Sequence, residues 1–263
     1  MDAGGTKTAL RRPHTLAVQV LGAFQVTIDG RPVPETLWRS AKATMLVTYL
    51  AYRVGTPLDP DHVLTTLWPE LHPRTEQNHL HKAVHLARQT FSAVLGLEGR
   101  DLIALSQGRY ALHADVLQVD AVQFKRAIFD ARWATKLGDA PATQRHLEEA
   151  ARLYSGDLLE DDDVSDWIRP ERERLRHDYR DTLRSLAAIY QREGDTARMT
   201  GVYGRLLTVE PYAEDAYRAL IAAALQAGRR GEAVRLYQEC QDRLRRELDL
   251  APNPELEQLI RSA

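Results

Sequence analysis

Residues 75–112, TEQNHLHKAVHLARQTFSAVLGLEGRDLIALSQGRYAL, hold the pattern that decides the fold of the first half of the chain. Apolar side chains recur at helical spacing through residues 75–95 and fall on one helix face. They are Leu80, Ala83, Val84, Ala87, Phe91, Val94 and Leu95. Two short apolar runs, residues 102–105 and 110–112, then flank a turn that contains a glycine. We expect a long helix followed by a β-hairpin.

The residues before this helix predict a small sheet and two shorter helices. Apolar residues alternate through residues 16–28, with Gly22 between two runs, and residues 31–33 could form a return strand. Ser40 and Asp59 are candidate N-caps of the two helices. A sheet, three helices and a hairpin, in this order, predict a winged helix-turn-helix domain over residues 15–115, with the hairpin as its wing.

The second half of the chain is predicted to be helical. Glycines and alternation become sparse from residue 116, and Gly194 and Gly228 are 34 residues apart, the period of tetratricopeptide repeats. The same offset relates Ala187 to Ile221, Met199 to Ala233, Tyr203 to Tyr237 and Leu206 to Cys240. We expect an α-helical tetratricopeptide-like repeat domain over residues 116–263 and a flexible tail or linker over residues 1–14, so that the fold is mainly α with a small β component.

Charge and composition limit the kinds of site that the chain can form and the compartment in which we expect it. The net charge of −2 divides into +2 for residues 1–14, 0 for residues 15–115 and −4 for residues 116–263. A single cysteine, Cys240, excludes internal disulfides and a cysteine-based zinc site. No stretch has the roughly 20 apolar residues of a membrane span. We therefore expect a cytoplasmic protein with no membrane partner.

The face of the third helix opposite its apolar stripe is a candidate DNA-reading surface. It carries Asn78, Lys82, His85 and Gln89, with His81 and Arg88 beside them. Such polar side chains can reach base edges and phosphates. Candidate phosphate contacts lie before the first and third helices and in the wing: Arg39, Lys42, Arg74, Thr75 and Arg109. The alternative interpretation is an ordinary solvated helix face with scattered surface cations.

Catalytic, metal and cofactor sites are not indicated. His81 and His85 have the spacing at which two imidazoles share a metal ion, but Lys82 stands where a zinc protease has glutamate. The sequence has no glycine-rich phosphate loop, nucleophile elbow or acid–base pair. We expect no enzyme activity, no metal and no cofactor.

Several segments together resemble a known family. They are LAVQVLGAFQVTIDGRPVP (16–34), WRSAKATMLVTYLA (38–51), LTTLWPE (64–70), QGRYAL (107–112), GDLLEDDDVSDWIRPERERLR (156–176) and PYAEDAYRALIAAALQAGRRGEAVRLYQECQDRLRRELDLAPNPEL (211–256). Their order resembles the bacterial antibiotic-regulatory-protein type of transcriptional activator, from about Leu16 to Leu259. That family joins a response-regulator-like winged helix to a bacterial transcriptional activator domain of tetratricopeptide-like repeats.

The resemblance implies a DNA-binding transcriptional regulator. Its third helix would enter the major groove of double-stranded DNA, and its repeats would contact RNA polymerase or another regulatory protein. Relatives usually carry arginines where this chain has Leu86 and Gln89. With a neutral winged helix, we expect weak binding or binding as a homodimer on DNA. The alternatives are an interaction or signalling module with a degenerate winged helix, and an enzyme suggested only by the histidine pair.

Overall fold

The structure, a computed structural model, describes residues 14–70, 73–113, 116–160 and 166–261, with only the backbone of residues 73–77 and 97–98. The strands are β1 (Thr15–Gln19), β2 (Gln25–Ile28), β3 (Arg31–Pro32), β4 (Ile103–Ser106), β5 (Arg109–Leu112) and β6 (Val116–Val119). The helices are α1 (Ala41–Tyr52), α2 (Pro60–Leu67), α3 (Pro73–Leu95), α4 (Asp120–Leu137), α5 (Ala140–Leu153), α6 (Ile168–Glu193), α7 (Thr196–Val209), α8 (Glu214–Gln226), α9 (Arg230–Arg243) and α10 (Pro254–Arg261). None of the helices in these residues is long and apolar enough to cross a membrane.

The chain divides into two compact units, each described here by itself. The N-terminal unit runs to Gln123 and also takes in Ser155–Pro170. The helical unit consists of Phe124–Tyr154 and the residues from Glu171 onward. The predicted tail, apart from His14, lies outside the described residues. His14 itself is buried and bonds Asp29 through Nδ1 at 2.9 Å, so this residue belongs to the N-terminal unit rather than to a tail.

The N-terminal sheet has the strand order β3-β2-β1-β6. The first three strands are antiparallel neighbours, as the alternation of apolar residues predicted. The fourth, β6, pairs in parallel with β1, with Leu16 opposite Leu117. Residues 116–119 were expected to open the helical half, so this strand is a correction to the predicted secondary structure.

Three helices follow the first three strands of this sheet along the chain, and α3 packs against both α1 and α2. Ser40 caps α1 as expected, because its Oγ accepts the Ala43 N–H at 3.3 Å. Asp59 stands at the N-cap of α2 but makes no capping bond from its side chain. The edge of the Trp38 ring lies between Phe24 and Phe91, at centroid distances of 5.3 and 5.8 Å. The buried face of α3 is the predicted one for Leu80, Ala83, Val84, Ala87 and Phe91.

The predicted wing is present as the β4–β5 hairpin. Gln107 and Gly108 both have positive φ, 51° and 77°, as a two-residue turn of this kind requires. Tyr110 exchanges two backbone hydrogen bonds of 2.8 Å with Leu58, which attaches the hairpin to the residues before α2. The hairpin is therefore attached to a neighbouring segment two positions after the glycine of its turn.

A segment from much later in the chain completes the N-terminal unit; we call Ser155–Pro170 the clasp. The Leu159 N–H donates to the Val20 carbonyl, and the Gly22 N–H donates to the Asp157 carbonyl, both at 2.8 Å. A Cβ on Gly156 would stand 2.8 Å from the Cα of Gly22, so the two backbones approach as only glycine allows. At the far end of the clasp, the Trp167 and Tyr49 rings meet at 5.0 Å.

The helical unit contains helix pairs joined by one kind of turn. Gly138, Gly194 and Gly228 end α4, α6 and α8 with φ near +73°, the left-handed conformation of a helix C-terminus. Asp139 and Asp195 then cap α5 and α7, each accepting a backbone N–H at 2.9 Å. These repeated pairs agree with the predicted helical repeats.

The pairs found at the 34-residue offset lie mostly in the core of the helical unit. The buried members are Ala187, Met199, Leu206, Ile221, Ala233 and Cys240. Tyr203 and Tyr237 are only half-buried. Tyr217 of α8 is fully buried, and its neighbours in the core of the helical unit include Ile221 and Cys240.

Candidate DNA-binding face

The outward face of α3 is an exposed polar strip. Because helical residues repeat every 3.6 positions, the side chains opposite the buried face of α3 line up along the helix. The exposed members are Asn78, His81, Lys82, His85 and Gln89. Below them, the Thr90 hydroxyl donates to the Leu37 carbonyl at 3.0 Å and so fixes the C-terminal part of α3 on the residues before α1. The strip is carried by a helix whose opposite face is core.

A cleft of about 330 Å³ lies beside the C-terminal end of this strip. Arg39, just before α1, and Gln89 of α3 both line it. Leu86 is half-buried and lines it too, next to Leu37. The cleft brings the exposed Arg39 guanidinium and the exposed Gln89 carboxamide to the same edge of α3. Ser40, the N-cap of α1, also lines the cleft, so backbone N–H groups of the first turn of α1 are nearby.

Two of the predicted contacts are engaged inside the unit. The Arg88 guanidinium donates from Nε and Nη2 to the Ile103 carbonyl, at 3.2 and 2.7 Å, and thereby ties α3 to the first residue of the wing. The Lys42 ammonium lies 5.8 Å from the Trp68 ring centroid and 3.3 Å from Nδ1 of His79. Both cations have structural partners, which the sequence did not predict.

The remaining predicted contacts are distributed around the strip. Arg109 is exposed at the start of β5, and its Nε lies 3.6 Å from Oδ2 of Asp59, an exposed pair. Arg74 and Thr75 lie in the first turn of α3, and their side chains are outside the described residues.

Two carboxylates, the half-buried Asp120 and the exposed Asp29, bond the two ends of β1. Asp120 accepts the backbone N–H groups of Val20 and Leu21, both at 2.9 Å. Its burial raises the pKa of this carboxyl, against the effect of those bonds. At the other end of β1, the Thr15 N–H and the His14 ring lower the pKa of Asp29. These groups have structural roles and do not belong to the exposed strip.

A comparison with protein families assigns the second half of the chain to a known family. The model of the bacterial transcriptional activator domain matches residues 119–262, more than half of the chain. The chain belongs to this family. The match begins at the last residue of β6 and covers the helix pairs of the helical unit, in agreement with the resemblance drawn from the sequence.

Relatives of this activator-domain protein are similar along nearly all of its length. The transcriptional regulatory protein EmbR of Mycobacterium tuberculosis is 27% identical over 245 residues, which are 91% of this chain and 61% of EmbR. EmbR of Mycobacterium bovis gives the same values. The chain therefore spans about three fifths of the length of these relatives.

A solved structure shares the fold. Mycobacterium tuberculosis EmbR, determined in complex with a low affinity phosphopeptide, has a TM-score of 0.67 and 24% sequence identity, over 94% of this chain and 64% of that one. The likeness covers both the winged helix and the helical repeats, so the predicted fold class is confirmed.

Metal binding by the histidine pair has no further support. In the part of the chain that the structure describes, no group of three His, Cys, Asp or Glu side chains could hold a metal ion. The arrangement on α3 offers hydrogen-bond donors and acceptors with one ammonium group.

Proposed function

We propose that this activator-domain protein is a DNA-binding transcriptional regulator that reads a promoter with α3 and contacts RNA polymerase or another regulatory protein through its helical unit. The observation that supports this most directly is the exposed strip of Asn78, His81, Lys82, His85 and Gln89 on a helix whose other face is core. An α-helix fits the major groove of B-DNA, where each base pair presents a distinct set of donors and acceptors.

The surrounding residues suit contacts to the DNA backbone. Arg39 lies at the cleft that Gln89 also lines, so a phosphate beside a base read by Gln89 would meet a guanidinium. Arg109 on the wing supplies a second exposed cation. Arg88 holds the wing against α3 and takes the role of a positioning residue.

The proposed affinity for DNA is low for a single copy. Residues 15–115 carry nine basic and nine acidic residues, and two of the basic ones, Lys42 and Arg88, are engaged inside the unit. Because phosphate neutralisation supplies much of the affinity for DNA, we propose that two copies bind together.

Selection from random double-stranded DNA, followed by mobility shift, tests the proposal. Lys82→Ala should weaken binding to all sequences and lower the salt slope by about 0.9, the value for one phosphate. Gln89→Ala should relax the preference at one base position, at a cost of about 1–3 kcal/mol. The matched controls are Lys136→Ala and Gln258→Ala, which change the same residue types on exposed positions of α4 and α10.

The proposal fails if selection enriches no sequence, or if folded Lys82→Ala and Gln89→Ala proteins bind like their controls. Either result would favour the alternative, an interaction module whose winged helix does not read DNA. Neutral charge and the engaged Lys42 and Arg88 are the observations that make this alternative worth testing.

A further inference from the structure

The outward face of α4 in the helical unit carries an apolar stripe exposed to solvent. Phe129, Trp133 and Leu137 are spaced four residues apart, and their exposed fractions are 59%, 56% and 68%. Large apolar side chains on a helix normally face the core, and on this helix three of them lie outside it. The buried residues of α4 within the helical unit are Phe124, Ala127, Ile128, Ala131 and Ala134. Core packing therefore does not explain why these three large apolar side chains are on α4.

Basic side chains lie along the stripe. On a helical wheel Lys125, Arg132 and Lys136 lie along one edge of the three apolar residues, Arg126 lies in line with them one turn before Phe129, and Asp130 lies at the other edge. With Asp178 of α6, the partner of Arg132, this face has four basic and two acidic side chains, a formal charge of +2, although residues 116–263 as a whole carry −4. Positive charge is thus concentrated around the one exposed aromatic surface of α4.

Two of these cations are held in place by partners in the helical unit. Arg126 bonds Asp130 at 2.9 Å, and its guanidinium lies 5.7 Å from the centroid of the Phe129 ring. Arg132 bonds Asp178 of α6 at 3.0 Å. Such contacts order the edges of the stripe without covering it. An incoming surface would therefore meet apolar side chains at the centre and positive charge at the rim.

We propose that this face of α4 docks an acidic amphipathic helix of a partner protein. Phe129, Trp133 and Leu137 form a row of the i±4 kind, and the groove beside such a row receives the corresponding row of a second helix. The rim charge calls for Glu or Asp beside the apolar residues of that helix. This inference rests on the protein-contact part of the function proposed above and gives that contact a location and a chemistry.

Pairing of this face with the same face of a second copy is disfavoured. A symmetric dimer places identical patches against each other, so +2 would face +2. Like charges brought together across an interface oppose association. The charge therefore favours a different protein with the opposite sign.

Three labelled helical peptides of about 18 residues, or five turns, test the docking of an acidic helix. The first has Leu at helical spacing among Glu residues, the second replaces Glu by Lys, and the third replaces Leu by Gln. Fluorescence anisotropy with the full chain should show at least about tenfold tighter binding of the first peptide than of the others. Raising the salt concentration from about 50 to about 200 mM should weaken that binding.

Variants of the chain assign the binding to α4. The triple change Phe129→Ser, Trp133→Ser and Leu137→Ser should weaken binding of the acidic peptide about tenfold or more, since these side chains form the centre of the surface. Leu248→Ser with Leu250→Ser is the matched control, because both leucines are exposed elsewhere in the unit. Arg126→Glu with Lys136→Glu should reverse the preference, so that the Lys peptide binds more tightly than the Glu peptide.

Equal binding of the three peptides, or unchanged binding by a folded triple variant, would overturn the inference. Two other results would also overturn it. If the triple change abolished self-association in sedimentation, the face would serve a second copy. If it abolished retention of the chain on anionic vesicles, the face would serve a membrane surface. Mobility shift with DNA separates this inference from the DNA-binding proposal. Stripe variants should shift DNA like the parent, whereas Lys82→Ala should bind the acidic peptide like the parent.

Discussion

Cys240, the single cysteine of the chain, is fully buried in the core of the helical unit. Burial, with a smaller effect of the carboxylates of Glu214 and Glu239, raises the pKa of its thiol to about 11. In the unfolded chain the thiol ionises near its ordinary pKa of about 8.5. Between these two pH values the unfolded chain has lost a proton that the folded chain keeps. The stability contributed by the protonated thiol is complete below the lower value and is lost as the pH rises to the upper one.

Cys240→Ala should remove this pH dependence. We expect the free energy of unfolding of the parent to fall relative to that of the variant by up to about 1.4 kcal/mol per pH unit inside the window. Urea unfolding of both proteins from neutral pH to about pH 10 measures the difference. Parallel curves would show that the thiol does not contribute. As a control, a thiol reagent should label the parent only after unfolding.

Arg88 shows how one side chain connects two elements of the N-terminal unit. Its guanidinium bonds the Ile103 carbonyl twice, so that α3 and β4 share a charged hydrogen-bond donor. Arg88→Met keeps most of the aliphatic stem and removes both bonds, which should cost about 1.5–3 kcal/mol of stability.

Hydrogen exchange should show where the stability of Arg88→Met is lost. We expect faster exchange in the wing, β4 and β5, than in α5, which lies in the helical unit. Gln89→Met, one position along α3 and exposed, is the control for a new methionine. An even loss of protection across both units would contradict a local role for Arg88.

The sequence was sufficient for elements whose signals are local. The apolar period of α3, the cap at Ser40 and the glycine turn of the wing all lie within short stretches of chain. It was not sufficient for β6, because four residues are too few to establish a period and the partner strand β1 lies far earlier in the chain. The first helix pair also has a local signal, since Gly-Asp follows α4 as it follows α6.

The candidate site was likewise predictable from the sequence only where its signals are local. Helical periodicity identified the exposed strip of α3, including Lys82 and Gln89. It could not show that Arg88 and Lys42 have partners inside the unit, because the Ile103 carbonyl and the Trp68 ring approach them only in the folded structure. Periodicity gives the direction of a side chain, and its contacts depend on the tertiary fold.

The N-terminal unit as a whole is built from discontinuous chain, and this predicts which fragments fold. Residues 14–115 lack β6 and the clasp, which bond Leu16, Val20 and Gly22 in the full chain. We expect this fragment to melt without a cooperative transition. The rings of Phe124 and Tyr154 are 5.4 Å apart, so a short Gly-Ser linker can join residue 123 to residue 155. That linked fragment, ending at residue 170, should melt cooperatively.

Circular dichroism melting and dispersion of the amide signals in NMR spectra compare the two fragments. The linked fragment with Trp167→Ala is the control, because this change removes the ring that contacts Tyr49 and leaves the chain length unchanged. Its transition should move to lower temperature. Equal cooperative melting of residues 14–115 and of the linked fragment would show that the clasp is not needed.

The late position of the clasp also has a consequence during protein synthesis. Residues 124–154, 31 residues of the helical unit, separate the two parts of the N-terminal unit. At about 5–20 residues per second, the ribosome needs roughly 2–6 s to add them. Until Leu159 and Trp167 have also been added, the Val20 carbonyl and the Tyr49 ring of the nascent chain lack the partners that they contact in the folded unit. Products that stop before residue 170 carry an unfinished N-terminal unit, so under the proposed function a truncated chain would not compete for DNA.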